Sequence, residues 1–193
     1  MTEEALDAAI GTRIRQLRQA RGLTLDDLAG ASNVSRAMIS RIERGEASPT
    51  ASLLARLCAA FGLSLSAFFA EEGGAASPLS RRDEQVVWRD PETGYLRRAV
   101  SPPATGSAVD IVEVVFPAGA RVVFPPHEAS RGMTQHVWLF EGEMEMILGG
   151  AVHRLRQGDC LFMPVGEGHA FHNPTGEPAR YCVVLDRGTR PAL

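Results

Sequence analysis

The spacing of apolar residues differs between the two parts of this sequence. In roughly the first seventy residues, apolar side chains recur every three or four positions, as at Ile10, Ile14 and Leu17, which is the period of a helix packed on one side. Beyond about residue 85 the period is two, in short runs rich in Val, Ile and aromatic residues. The chain is therefore predicted to contain helices first and β-strands afterwards.

The helical part is predicted to contain five short helices separated by capping residues. Gly22 stands where a C-terminal cap glycine is expected, and Thr24 with Asp27 has the spacing of a capping box. The helix that begins there is expected to stop at Gly30.

The third predicted helix has one apolar side and ends at Gly45. Ser48 is the predicted N-cap of the fourth helix, with Pro49 at its first position, and "LSLSAFF" predicts a brief fifth. The apolar side of the third helix is formed by Val34, Met38, Ile39 and Ile42.

The run "EEGGAASPLSRRDE" interrupts both patterns, and its Gly, Ala, Ser and Pro residues favour a mobile linker. We therefore predict a helical domain at 1–70, a linker at 71–85 and an all-β domain at 86–193. The runs "VDIVEVVF", "HVWLFEG", "EMEMILGG", "CLFMP" and "RYCVVL" are typical of short strands in a sandwich or barrel.

The composition is that of a globular protein, with 45% hydrophobic and 22% charged residues in 193. No apolar run approaches the roughly 20 residues needed to span a membrane, and acidic residues near the N-terminus do not resemble a signal peptide. A cytoplasmic location without membrane contact is expected. The three cysteines, Cys58, Cys160 and Cys182, are predicted to be buried free thiols.

The net charge of −3 conceals an asymmetry along the chain. Residues 11–56 contain eight arginines and four acidic residues, a balance of +4, which leaves −7 for the remainder. A basic segment joined to an acidic remainder favours a polyanionic partner for the first domain alone.

The third predicted helix has the side chains that a reader of double-stranded DNA needs. Arg36, Ser40 and Arg44 lie along one stripe with Ala37 beside it, opposite the apolar side. Arginine can pair with guanine edges, and a small alanine permits close approach to the major groove. Hydroxyls and free backbone N–H groups near helix starts are expected to hold phosphates, at Thr24, Ser48 and Thr50.

These motifs resemble the DNA-binding domain of the XRE family, the phage-repressor-like regulators. The resemblance covers about a third of the chain and rests on Leu28-Ala29, Val34-Ser35, "ISRIERG" at 39–45 and Pro49-Thr50. It implies a five-helix lambda-repressor-like fold. The base-reading candidates that it implies are Ser35, Arg36, Ala37 and Ser40, with Arg41 nearer the DNA backbone.

The second part resembles the cupins, which are double-stranded β-helix barrels. Their second motif is complete, as Gly158, Pro164, Gly166, His169 and Asn173. Their first motif, aligned on its turn glycine, Gly142, lacks the usual ligands: its glutamate position holds Gln135, and its histidine positions fall within 128–131, which contains no histidine.

This loss argues against a bound metal, because a cupin metal normally takes two or three imidazoles and a carboxylate. Of these ligands only His169 remains. The sequence therefore predicts no catalytic residue, no metal and no cofactor. His127 keeps the question open, since it could swing toward the barrel from the preceding loop. His136 and His172 are expected to face away by strand parity.

The barrel interior is instead predicted to be a mostly apolar pocket with a few polar groups, suited to a small organic ligand. That ligand would be anionic if Arg131 points inward. The alternative is a solid barrel filled by side chains. The predicted ligand-binding residues are Gln135, Phe162, His169 and Phe171, with His127, Arg131 and Met133 near the mouth.

Together the two resemblances imply a bacterial one-component transcription regulator that is not an enzyme. Its expected partners are operator DNA, a small-molecule effector and a second copy of the chain. Two alternatives stay open: a metal-dependent cupin oxygenase or epoxidase with an XRE-like N-terminal domain, and a DNA-binding protein whose barrel serves dimerisation alone.

Overall fold

A computed structural model describes residues 2–69, 77–126 and 132–188. Within these ranges the chain forms five helices followed by ten strands, in the order that the sequence predicts. The helices are α1 (Glu3–Ala20), α2 (Leu25–Ser32), α3 (Arg36–Glu43), α4 (Ala51–Ala60) and α5 (Leu65–Phe69).

Two helix boundaries differ from the prediction. Helix α2 continues through Gly30 to Ser32 and ends at Asn33, which takes the left-handed conformation that asparagine tolerates better than most residues (φ +53°). The N-cap of α4 is Thr50, whose hydroxyl accepts a hydrogen bond from the backbone N–H of Leu53. The hydroxyl of Ser48 is used elsewhere, because it donates to Asp7 across 2.7 Å.

Helices α1 and α3 cross closely, and two features of α1 hold them together. Gly11 faces the backbone carbonyl of Ile42, where a Cβ atom would collide with the oxygen. Farther along α1, the guanidinium of Arg18 donates to both carboxylate oxygens of Glu43 at 2.6 and 2.7 Å in a largely buried ion pair. The orientation of α3 therefore depends on α1.

The strands form two antiparallel sheets. The six-stranded sheet has the order β1-β2-β3-β10-β5-β8 and the four-stranded sheet the order β4-β9-β6-β7. Among the described strands no ladder joins the sheets into a closed barrel. The strands are β1 (Val87–Arg89), β2 (Leu96–Ala99), β3 (Val109–Phe116), β4 (Arg121–Phe124), β5 (Thr134–Glu141), β6 (Glu143–Leu148), β7 (Ala151–Arg156), β8 (Cys160–Pro164), β9 (His169–His172) and β10 (Ala179–Asp186).

The cupin-like motif residues shape turns of the β-domain. Gly142 has a φ of +84°, and a Cβ there would lie 2.8 Å from the carbonyl oxygen of Pro178. Asn173 is fully buried, and its side-chain amide donates to the carbonyls of Pro117 and Glu177 at 3.1 and 2.8 Å. These two residues are thus required by the fold itself, independently of any ligand.

The helical domain is docked on the β-domain. Asp90, 1% exposed, accepts a hydrogen bond of 2.7 Å from the backbone N–H of Ala51 in the first turn of α4. Its other oxygen accepts from Thr93, so both carboxylate oxygens have partners. Beside this contact, the ring of Phe69 in α5 packs on Trp88 with centroids 5.6 Å apart. Buried residues of both parts form one continuous core.

The prediction for one cysteine is wrong. Cys58 and Cys182 are buried free thiols, whereas Cys160 is exposed. Alternation along β8 explains the difference, because Met163 is the residue of this strand that points into the core and Cys160 has the opposite parity. In the part of the chain that the structure describes, no helix combines the length and the hydropathy that a membrane span requires.

Replacing Gly11 by Ala should destabilise the protein by about 1–3 kcal/mol, because the new methyl group must push α3 away from α1. The matched control is Gly30→Ala in α2, where a Cβ meets nothing within 4 Å. That change should stabilise the protein by about 0.5–1 kcal/mol through helix propensity. Urea unfolding measures both, and equal effects of the two changes would contradict the close crossing.

Replacing Asp90 by Ala should leave the Ala51 N–H without its acceptor and loosen the docking of the two domains, at a cost of about 1–3 kcal/mol. Circular dichroism at 222 nm follows the helices, and tryptophan fluorescence follows Trp88 and Trp138 of the β-domain. In the wild-type chain the two unfolding curves should coincide, whereas in D90A the helical signal should be lost first. Asp159→Ala, at an exposed turn, serves as the control and should keep both curves together. A single wild-type-like transition in D90A would refute the docking role.

Candidate DNA-binding surface and interior cavity

Helix α3 is divided into a buried and an exposed side as predicted. Ile39 and Ile42 are fully buried against the other helices. On the opposite side Arg36, Ala37 and Arg41 are exposed. Ser35 is the N-cap of α3, since its hydroxyl accepts from the N–H of Met38 at 3.3 Å, and Ser40 is half-buried within the helix.

Two arginines of this surface are paired with acidic residues. Arg36 lies 3.3 Å from a carboxylate oxygen of Asp26 in α2, and both side chains are more than half exposed. Arg44 binds both oxygens of Glu46 at 2.6 and 2.7 Å and also donates to the Ser40 hydroxyl. Exposed ion pairs contribute only about 0–1 kcal/mol, so a DNA phosphate or base can replace these partners.

The three residues predicted to hold phosphates lie at or near helix starts, but their hydroxyls are already used. The Thr24 hydroxyl donates to the carboxylate of Asp27 at 2.6 Å and accepts from the Asp27 N–H, and the same carboxylate accepts from the Thr24 backbone N–H at 2.8 Å, which completes the capping box. Thr50 caps α4 and Ser48 donates to Asp7. At the start of α2 the groups left for phosphates are therefore mainly backbone N–H groups, whereas at the start of α4 the Ala51 N–H is already bonded to the buried Asp90 carboxylate.

Several arginines that make the helical domain basic serve its folding. Arg21 donates to the carbonyls of Leu17 and Phe61, and Arg56 donates to the carbonyl of Asn33. With Arg18 paired to Glu43, fewer arginines are available to DNA than the net charge of the segment suggests. Charge counting cannot separate these roles, because both use the same residue type.

A cavity of about 140 Å³ lies between the two sheets and is closed on one side by α4, α5 and the turn between them. Its walls are mostly aliphatic and aromatic, and its polar groups come from both domains. Those polar residues are Ser64, Ser66, Tyr95, Arg97, Gln135, His169 and Tyr181.

Three of the predicted ligand-binding residues line this cavity: Gln135, His169 and Phe171. The side-chain N–H of Gln135 donates to the sulfur of Met163 at 3.3 Å. The Nδ1 atom of His169 lies 3.1 Å from the carbonyl oxygen of Glu167, which can only accept, so Nδ1 carries a hydrogen and Nε2 is left as an acceptor. Burial lowers the pKa of His169, and the bond to the Glu167 carbonyl offsets this only in part.

Two other predicted ligand-binding residues do not reach the cavity. Phe162 is 57% exposed, because it lies directly opposite His136 in the β5–β8 ladder and residues opposite each other share a face. Its ring packs on the exposed His136. Met133 is half-buried but does not line the cavity. His127 and Arg131 lie outside the described residues.

Sequence reasoning missed the polar groups that come from β2, β10 and the turn into α5. Tyr95 and Arg97 belong to or adjoin the short strand β2, where no strand was predicted. Tyr95 and Arg97 alternate with the outward residues Leu96 and Arg98, which is the pattern of a strand with one buried face. In a strand of four residues this pattern is a weak signal. Ser64 and Ser66 reach the cavity only because the domains dock.

The described donors around the cavity do not fit a cupin metal. Gln135 supplies a neutral amide engaged with Met163, and His169 is the single imidazole among the described lining residues. Across the described ranges, no three His, Cys, Asp or Glu side chains lie together as a metal site requires. The described lining residues therefore supply too few donors for a cupin-type metal site.

The depressed pKa of His169 has a consequence for stability. In the unfolded chain the imidazole takes up a proton below about pH 6.5, whereas in the fold it does so only at lower pH. The free energy of unfolding should therefore fall as the pH drops below about 6.5, by up to about 1.4 kcal/mol per pH unit from this group. Urea unfolding at pH 7.5 and 5.5 should show a smaller loss in His169→Gln than in the wild-type chain. Parallel losses would contradict the buried neutral imidazole.

Comparison with known families agrees with this architecture. The helix-turn-helix family model HTH_3 matches residues 14–68, and the cupin domain model Cupin_2 matches residues 112–185. The first range spans most of α1 through α5, and the second runs from β3 through β10.

Similar proteins share both parts. The HTH-type transcriptional regulator SutR of Escherichia coli K12 is 26% identical over 170 residues, 88% of this chain and 90% of its own length. PuuR of the same organism, also an HTH-type transcriptional regulator, is 26% identical over 98% of both chains. A solved HTH_3 family transcriptional regulator from Vibrio cholerae is 26% identical, covers 96% of this chain and 98% of its own, and superposes with a TM-score of 0.77. The chain is therefore an XRE-type helix-turn-helix protein with a C-terminal cupin domain.

Proposed function

We propose that this protein is a one-component transcription regulator, which reads operator DNA with α3 and senses a small molecule in the cavity. The observation that carries the proposal is the shared wall: the domain that presents Arg36 and Ala37 to solvent also closes the cavity with Ser64 and Ser66. A ligand in the cavity therefore touches the DNA-reading domain directly. The relatives are named HTH-type transcriptional regulators, which supports the same conclusion.

The reading surface is the exposed side of α3. Arg36 in its first turn is suited to pair with a guanine edge, and Ala37 allows the helix to approach closely or to contact a thymine methyl group. Ser35 and Ser40 have hydroxyls for bases or phosphates, and Arg41 is suited to a backbone phosphate. Thr24 marks the start of α2, whose N–H groups are suited to a phosphate, whereas the start of α4 near Ser48 and Thr50 already holds the Asp90 carboxylate.

A homodimer is part of the proposal, because one helix-turn-helix reads only a few base pairs and a two-fold dimer reads two half-sites. The outer face of β5 and β8 suits such a contact. Trp138 and Phe162 are 49% and 57% exposed there, with His136 beside them. Exposed aromatic residues of this kind are enriched in protein interfaces.

The cavity supports sensing rather than catalysis, since its described donors do not form a metal site and its walls are mainly apolar. We therefore propose a regulator that is not an enzyme and that acts in the cytoplasm, where its DNA partner lies. A coupling of about 1–3 kcal/mol between ligand and DNA would change operator affinity by about 5 to 150-fold.

Arg36→Ala should weaken binding to a duplex selected by the full chain from a random library by about 1–3 kcal/mol, with the fold intact. Asp26→Ala should act in the opposite direction and tighten binding by less than about tenfold, because it frees Arg36 from its exposed partner. Arg154→Ala, an exposed arginine of the β-domain that pairs with Glu145, is the matched control and should bind as the wild type does.

Fluorescence anisotropy at fixed ionic strength measures these affinities, since phosphate contacts depend strongly on salt. Wild-type affinity and an unchanged footprint in R36A would refute the assignment of α3. Failure of the wild-type chain to select any duplex would refute the proposed function.

A further inference from the structure

Arg97 is a buried cation in the wall of the cavity. It lies on β2 with 7% of its surface exposed, and among the described lining residues it is the single charged side chain. Its Nη2 atom donates to the Ser66 hydroxyl of α5 at 2.6 Å, and its guanidinium lies over the ring of Phe69 at 5.3 Å. These contacts fix its position but supply no negative charge.

No carboxylate among the described residues lies within 4 Å of the Arg97 guanidinium nitrogens. Asp110 attracts Arg97 from farther away, but a nearer arginine, Arg187, lies 3.3 Å from the Asp110 carboxylate. Burial lowers the pKa of Arg97 because desolvation of the charged form outweighs the nearby attractions. A buried guanidinium without a counter-charge is costly, so an anion that enters the cavity would be bound strongly.

We propose that the cavity binds a small organic carboxylate, whose charged group pairs with Arg97 and whose apolar part lies between the two sheets. This inference rests on the proposed sensing function and names the chemical class of the ligand. It differs from the expectation attached to Arg131, because Arg97 comes from β2 at the contact with the helical domain.

The groups around Arg97 suit a carboxylate. Tyr95 and Tyr181 line the cavity and interact with the charge of Arg97, and neither phenol hydroxyl forms a hydrogen bond with a described residue. Each can donate to a carboxylate oxygen, in addition to the guanidinium itself. The Tyr181 ring stacks on Phe171 with centroids 5.6 Å apart, which holds that hydroxyl in place.

The remaining walls select for an apolar body of limited size. They consist mainly of valine, leucine and phenylalanine side chains, such as Val114, Phe116 and Leu185. A cavity of about 150 Å³ in another protein accommodates benzene, and the cavity here is about 140 Å³. Butyrate has as many non-hydrogen atoms as benzene and is therefore a suitable probe, with benzoate as a larger one.

The same arginine links ligand binding to the DNA-reading domain. Its hydrogen bond to Ser66 and its contact with Phe69 are both contacts with α5. A carboxylate that competes with Ser66 for the guanidinium alters this contact. Because α5 comes directly after α4 in the helical domain, a change at α5 reaches that domain. Ligand occupancy would thereby shift how the helical domain sits on the β-domain.

The test compares probes that share a skeleton and differ in charge. Thermal unfolding and isothermal titration of the full chain would be measured with benzoate, benzamide and benzylamine, and with butyrate, butyramide and butylamine. The carboxylates should raise the unfolding temperature by several degrees, whereas the matched amides and amines should not. Arg97→Met should weaken carboxylate binding by about tenfold or more.

The matched control is Arg98→Met, the next residue on β2, which points outward and pairs with Glu113 at 3.3 Å. It should bind the carboxylates as the wild type does. If R97M does not fold, the charge series on the wild-type chain and Tyr181→Phe, which should weaken carboxylate binding severalfold, decide the question.

Three results would overturn the proposal: binding of amines or amides as tight as that of carboxylates, wild-type carboxylate affinity in folded R97M, or no stabilisation by either carboxylate at about 10 mM, which is about ten times a millimolar Kd. These outcomes are separate from failure of the proposed function. If the chain selects DNA but prefers amines, the proposed function stands and the carboxylate inference fails. If the chain binds carboxylates but selects no duplex, the carboxylate site stands and the proposed function fails.

Discussion

The buried hydrogen bond from the Ala51 N–H to Asp90 is the contact on which the rest of the arrangement depends. It joins the first turn of α4 to the turn between β1 and β2, and a carboxylate at a helix N-terminus is favoured by the helix dipole. Because α4 is held there, α5 lies against β2 and the aromatic pair of Phe69 and Trp88 can form. The cavity then has a wall from each domain.

This docking explains how the helix-turn-helix domain and the β-domain can function as one unit. Two domains joined only by a linker would move independently, and a ligand in one would have no effect on the other. Here the core is continuous across the contact, so occupancy of the cavity and the position of α3 are physically connected through α4 and α5.

The cupin-like motif has kept the residues that shape the chain and lost those that would hold a metal. Gly142 and Asn173 are required by turn geometry and by buried hydrogen bonds, as the Pro178 carbonyl and the Asn173 amide show. Gln135 and His169 remain in the cavity wall, one bonded to sulfur and the other to a backbone carbonyl. What remains is a mainly apolar cavity with a single charged side chain among its described lining residues.

The sequence by itself determined the order of helices and strands, the buried side of α3 and the alternation that directs Gln135 inward and His136 outward, because these follow from local periodicity and capping. It could not decide which arginines stay exposed and which are buried in ion pairs, since Arg18 and Arg36 differ only in the partners that distant segments bring to them. Nor could it place Phe162, whose face depends on its register with β5. Arg97 belongs to the cavity only through the packing of β2 against α5, and contacts between segments about 30 residues apart are decided by tertiary structure alone.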